Sequence, residues 1–260
     1  MQGTLKATLL ALLTVFLLAG AAQALDEVRI GTEGAYPPFN YTDSDGNLKG
    51  FDIDIAKALC DAADLECEFV TQSWDGMIPA LQAKKYDAII ASMSITEERK
   101  QKVDFTDKYY QTPARFVKPK DRDLEITDED LEGLTVGVQR ATVSANFVND
   151  NFDDVLNIKS YDTQEEANMD MVSGRVDLLF ADAVVLQTGF LDEDEGQDYE
   201  FVGPGYTDEE WFGEGIGIAV RKGDDELRQT LNQAIQTIRE DGTYQDINEE
   251  YFDFDVYGEE

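Results

Sequence analysis

Twice along the chain, short apolar runs alternate with segments of helical period in the order βαβαβ. In the first series EVRIGTE reads as a strand and FDIDIAKALCDAAD as a helix, with Ile53, Ile55, Ala56 and Leu59 mostly at helical spacing. ECEFVTQ is a strand, WDGMIPALQAKK a helix, DAIIAS a strand and TEERKQKV a short helix. The second series runs LTVGVQ, TVSANFVNDNF, VLNIKSY, TQEEANMDMVSGR and VDLLFAD. Strands separated by helices return in the same direction, so the pattern predicts an α/β fold with two parallel sheets. YYQTPARFV at Tyr109 then reads as the linker between two lobes. FNYTDSDGNLKGFD reads as a hairpin turning at Asp45-Gly46 rather than as a calcium loop. The tail from Asp225 is helical, with Leu227, Leu231, Ile235 and Ile238 on one face.

The first 24 residues stand apart. Lys6 precedes an apolar run, Ala7 to Leu18, too short to span a bilayer comfortably, and Ala22-Gln23-Ala24 has the form of a cleavage site. The expected mature chain begins at Leu25, exported and soluble; an uncleaved anchor is the rival reading. The two cysteines, Cys60 and Cys67, are expected to form a disulfide in such a compartment. A metal site is the alternative, but two thiols and no histidine make a poor zinc site.

Charge excludes some partners. There are 21 Lys and Arg against 55 Asp and Glu, and Lys6 is the leader's one charge, so the mature balance is 20 − 55 = −35. Such a chain repels nucleic acid and anionic membranes. The acids are scattered without metal-loop spacing, which suits a solvated surface adapted to high salt, where screening weakens self-repulsion.

Ligands of open α/β sheets bind beyond the carboxyl ends of strands, beside helix N-termini. Three such ends are Ala91–Ser94, Gln139–Ser144 and Ala181–Asp182. Thr96 is the expected N-cap of a helix that places Arg99 at its third position. A cation there opposes the helix dipole, so Arg99, with the Ser92 and Ser94 hydroxyls, is expected to converge on a carboxylate. The alternative is a pair with Glu97, Glu98 or Asp104. Thr142, Val143 and Ser144 open a second helix facing the same anion. Asp182 suits an ammonium or a helix cap. Glu33 with Tyr36 and Trp74 suits an organic cation, against ordinary core packing of the two rings. An α-carboxylate site, an ammonium site and a side-chain cation site together describe a basic amino acid.

The runs GTEGAYPPFNYTDSDGNLKGFDIDIAKALC, IPALQAKKYDAIIASMSITEERKQKVDFTDKYY and GTYQDINEEYFDFDVYG resemble the periplasmic polar amino-acid-binding proteins of ABC importers, in the branch for lysine, arginine, ornithine and histidine. That branch also carries the Cys60–Cys67 spacing. The resemblance implies a two-lobed, hinge-closing protein of the type II periplasmic binding fold, with a helix-flanked sheet in each lobe. Lobe one would be residues 25–111 with 208–260, and lobe two 112–207. Arg99, Ser94 and the Val143 N–H would clamp the α-carboxylate, and Asp182 with Ser92 the α-ammonium. Tyr36 and Trp74 would sandwich the side chain, and Glu33 would meet its distal cation. Ala91, Gln139, Arg140, Val143 and Ser144 differ from the branch pattern, which bears on side-chain preference.

The resemblance further implies a monomeric receptor for ABC permease subunits, without catalysis, cofactor, metal or membrane insertion. An opine or ectoine-type osmolyte ligand, a dehydratase on the same fold and a sensory receptor are the alternatives.

Overall fold

The structure, a computed structural model, describes residues 27–258. The leader and its cleavage site before Leu25 lie outside the described residues. Among the described residues no helix is long and apolar enough to cross a membrane.

The first lobe starts with β1 (Glu27–Thr32), which buries Val28 and Ile30. A small antiparallel sheet follows: β2 (Ala35–Tyr36), β3 (Asn40–Thr42) and β4 (Leu48–Lys49). The β3–β4 turn is the DSDGN run. Its Asp43 carboxylate accepts the backbone N–H groups of Asp45 at 3.0 Å and Asn47 at 2.8 Å. Then come α1 (Phe51–Ala62), β5 (Glu66–Thr71), a 3-10 turn at Trp74–Gly76, α2 (Met77–Gln82), β6 (Ala88–Ile89), α3 (Glu97–Lys100) and β7 (Val103–Tyr110).

The second lobe contains β8 (Ala114–Pro119), α4 (Asp128–Leu131), β9 (Thr135–Gln139), α5 (Val143–Phe152) and β10 (Asn157–Tyr161). It continues with α6 (Gln164–Val172), β11 (Leu178–Asp182), α7 (Ala183–Leu186) and β12 (Tyr199–Tyr206). After α8 (Glu209–Phe212) the chain returns to the first lobe as β13 (Ile216–Arg221) and ends in α9 (Asp225–Glu240) and α10 (Thr243–Tyr251).

Both sheets follow one plan, with strand orders β5-β1-β6-β13-β7 and β10-β9-β11-β8-β12. The first three strands of each are parallel. The remaining two are not: β13 is antiparallel to β6 and β7, and β8 to β11 and β12. The sheets are therefore mixed, which corrects the expectation of parallel sheets. YYQTPARFV is likewise no linker, because its ends belong to β7 and β8. Asp104, Asp107 and Lys108 interrupt the apolar pattern of β7, while β8 buries both Phe116 and Val117 and so lacks alternation. Only Gln111–Pro113 separate the two strands.

Each lobe has its own aromatic core. In the first, Phe39 stacks on Tyr110 with centroids 4.5 Å apart, and α9 buries Leu227, Leu231, Ile235 and Ile238. In the second, Phe116, Phe147 and Phe180 cluster, the last two stacked at 5.2 Å. Val185, from α7 of the second lobe, packs into the first core.

The Cys60–Cys67 disulfide joins the end of α1 to the start of β5, with Cα atoms 6.2 Å apart. It lies at the end of the sheet away from the carboxyl ends of the strands. Replacing both cysteines by serine should cost about 2.5 kcal/mol by loop entropy. Denaturant titration should show that loss, and ligand affinity at the far end of the sheet should not change.

Candidate functional site

The carboxyl ends of β1 and β6 face those of β9 and β11 across one cleft. Glu33, Tyr36, Trp74, Ala91, Ser92, Ser94 and Arg99 line it from the first lobe. Gln139, Thr142, Val143, Ser144 and Asp182 line it from the second. All twelve residues singled out from sequence thus meet at one place.

Arg99 sits where the N-cap rule puts it. Thr96 caps α3, its hydroxyl accepting the Arg99 N–H at 3.3 Å. The guanidinium is buried; Nη1 donates to the Ser94 carbonyl at 3.0 Å, and Cζ lies 5.2 Å from the Trp74 ring centroid. Among the described residues no carboxylate pairs with it: Glu97 binds Lys100, Glu98 binds Lys102 and Asp104 binds Lys222. Burial lowers its pKa to about 10, so it stays charged at neutral pH. A buried cation without an anion is costly unless a ligand supplies one.

Across the cleft, Thr142 caps α5, accepting the Ala145 N–H at 3.0 Å. The Val143 and Ser144 N–H groups occupy the first turn, where a helix leaves its donors free. These donors and the Arg99 guanidinium line the same cleft, a combination chemically suited to a carboxylate.

Asp182 ends β11 and caps α7. Its Oδ1 accepts the Val184 and Val185 N–H groups at 2.8 and 3.1 Å, and its Oδ2 accepts the Thr112 hydroxyl. The helix-cap reading therefore holds, yet the carboxylate also lines the cleft. Burial raises its pKa to about 6 despite these donors. An ammonium would stabilise the charged form.

Glu33, half-buried, follows β1. Its Oε1 accepts a 2.7 Å hydrogen bond from Gln139 Nε2. Gln139 Nε2 also donates to the Asp162 carbonyl at 3.1 Å, so both amide protons are engaged. Burial raises the Glu33 pKa to about 7, opposed by the Gln139 hydrogen bond and reinforced by Asp75. Glu33 is thus a second carboxylate lining the cleft, after β1 where Asp182 ends β11.

Two more contacts join the lobes. Trp74 Nε1 donates to the Ala141 carbonyl at 2.9 Å, and Arg140 bridges Asp75 (2.9 Å) and Asp162. Ala141 adopts a left-handed φ of 58° at this turn. Trp74 is not simply an open platform: one ring contact is already made with Arg99.

Sequence reasoning missed Thr112, which reaches Asp182 from the crossing between β7 and β8, and Phe212, which lines the cleft from α8. It also missed Asp52, Asn40 and Tyr109, which lie behind Ser92. Asp52 follows Phe51 in an amphipathic helix, and its buried setting was the only signal, visible once the fold was known.

The sequence matches the family described as bacterial extracellular solute-binding proteins, family 3, over residues 28–254. It is 48% identical over 255 residues to the L-arginine-binding protein of Pseudomonas aeruginosa, covering 97% of this chain and 98% of that protein. It is 45% identical over 252 residues to the histidine-binding periplasmic protein of Escherichia coli K12, covering 96% and 97%. The fold superimposes on an ancestral arginine-binding protein bound to arginine with a TM-score of 0.81 at 39% identity, covering 88% of this chain and 99% of that one. These relatives are binding proteins rather than enzymes. With the family matched across nearly all the described residues, the chain belongs to the bacterial extracellular solute-binding proteins of family 3.

Proposed function

We propose that this protein is the periplasmic substrate-binding component of an ABC amino-acid importer, and that it takes up a basic L-amino acid between its lobes. One observation carries the reading: a buried guanidinium without a carboxylate partner among the described residues shares a cleft with two desolvated carboxylates on different strand ends. A basic amino acid supplies the missing anion and both cations. The names of the arginine- and histidine-binding relatives support the same class.

In this reading, Arg99, Ser94 and the Val143 N–H hold the α-carboxylate. Asp182 and Ser92 take the α-ammonium, and Tyr36 and Trp74 flank the side chain. Glu33, backed by Gln139, meets the distal cation. The lobes of residues 25–111 with 208–260 and of residues 112–207 close about the two chain crossings, between β7 and β8 and between β12 and β13. Because the anchors lie on both lobes, the ligand favours the closed state through contacts that the open state lacks. The protein acts as a monomer, delivers ligand to permease subunits and turns over nothing.

Calorimetry with arginine, lysine, ornithine, histidine, glutamine, an opine and ectoine tests the proposal. A basic amino acid should bind one-to-one and better than glutamine, and scattering should show a more compact particle. If glutamine or a zwitterionic osmolyte outcompetes every basic amino acid, the specificity is wrong. Consumption of prephenate or arogenate would replace the receptor with a dehydratase.

A further inference from the structure

Behind Ser92 lies a carboxylate that does not itself line the cleft. Asp52, in the first turn of α1, is fully buried. Its Oδ1 accepts the Tyr109 hydroxyl at 2.7 Å; its Oδ2 accepts Asn40 Nδ2 at 2.8 Å and the Ser92 hydroxyl at 3.0 Å. The Asn40 amide cannot turn over without loss, because its Oδ1 accepts the Gly34 N–H at 2.9 Å. Tyr109 is fully buried, and its carbonyl accepts the Tyr244 hydroxyl at 2.7 Å. Three side-chain donors thus surround Asp52, two of them held in turn by Gly34 and Tyr244. Ser92 itself holds a left-handed φ of 55°, which a β-carbon disfavours and which surrounding contacts must enforce.

A hydroxyl has one proton. With that proton directed at Asp52, and Asn40 Nδ2 donating to Ser92 Oγ at 3.5 Å, the oxygen keeps a lone pair for the cleft and no proton. We propose that Asp52 is a positioning residue that makes Ser92 an obligate acceptor, and so selects ligands bearing an α-ammonium. Asp182 supplies the charge for that ammonium, and Ser92, held by Asp52, supplies a directional acceptor beside it. This role rests on the amino-acid reading of the cleft and adds to it a reason for rejecting compounds without an amine.

Asp52→Asn inverts the arrangement. An amide at residue 52 can still accept from Tyr109, but its N–H groups face Ser92 and also Asn40 Nδ2, whose hydrogen bond is lost. The Ser92 proton then turns outward against the ligand's own donors. Ser92→Ala removes the acceptor while leaving Asp52 its Tyr109 and Asn40 donors.

The test is calorimetry of arginine and its desamino analogue, guanidinopentanoate, at fixed pH and salt. The quantity read is the ratio of the two affinities. In the native protein arginine should win by a large factor. Asp52→Asn and Ser92→Ala should each cut that ratio by about tenfold or more, and the double variant should lose no more than either alone, as expected for residues acting through one contact. A merely structural Asp52 would weaken both ligands equally and leave the ratio unchanged, which overturns the proposal. An unchanged ratio in Ser92→Ala overturns it as well, whether or not Asp52→Asn folds. No preference for arginine in the native protein would instead sink the α-ammonium assignment of the cleft, and the positioning role with it.

Discussion

Replacing Arg99 with alanine should weaken amino-acid binding by about 2–5 kcal/mol, mostly through a faster off-rate. The magnitude comes from burial. The guanidinium is covered, holds the Ser94 carbonyl and has no carboxylate partner among the described residues. In the proposed reading the ligand carboxylate is desolvated to a similar degree, so truncation leaves it with Ser94 and the first-turn donors of α5 but no cation. Arg99→Lys should not restore affinity, because an ammonium cannot reproduce a planar fork or the contact with Trp74 at 5.2 Å. The Ala variant should also be no less stable without ligand, since it removes a buried, uncompensated cation. Calorimetry and thermal unfolding together check both parts. Near-native affinity in the Ala variant would return Arg99 to a structural role.

The position of Arg99 was readable because local rules fix it. A strand stops, a threonine caps a helix, and the third helical residue is an arginine on the wrong end of the dipole. Asp182 was readable for the same reason, at the end of a strand buried on both sides. The antiparallel strands were not. In β7 the residues Asp104, Asp107 and Lys108 mask the apolar set, and the strand pairs with β13, more than a hundred residues away. No local pattern carries such a pairing. The second chain crossing, between β12 and β13, was hidden by the same separation, and with it the arrival of Phe212 at the cleft. Asp52 escaped for a different reason. A carboxylate in the first turn of a helix looks like an ordinary dipole partner. Only the fold brings Tyr109, Asn40 and Ser92 against it.

Glu33 should make binding of arginine pH-dependent, with affinity falling about tenfold between pH 8 and pH 6. In the free protein burial holds its pKa at about 7, against the Gln139 hydrogen bond, with Asp75 adding to the shift. A ligand guanidinium would hold the same group ionised. At pH 8 Glu33 is already charged and binding moves no proton. At pH 6 roughly nine molecules in ten carry a proton that must be released first. Asp182, raised to about 6 by burial, adds a further factor of about two at that pH. Glu33→Gln should therefore cost about 2–4 kcal/mol of arginine affinity at pH 8 and reduce the pH dependence to the part from Asp182. Glutamine binding should change far less, so the gap between the two ligands narrows. Stability moves the other way. An acid whose folded pKa exceeds its unfolded value makes the native state bind more protons, so stability falls as pH rises from about 4.5 through about 7. Removing that charge should stabilise the ligand-free protein at pH 8 by about 1–3 kcal/mol and leave it unchanged at pH 4. Titrations in buffers of different ionisation enthalpy count the released proton directly. A native protein whose arginine affinity is flat from pH 6 to 8, or a Glu33→Gln variant that keeps the full slope, would move the cation site away from Glu33.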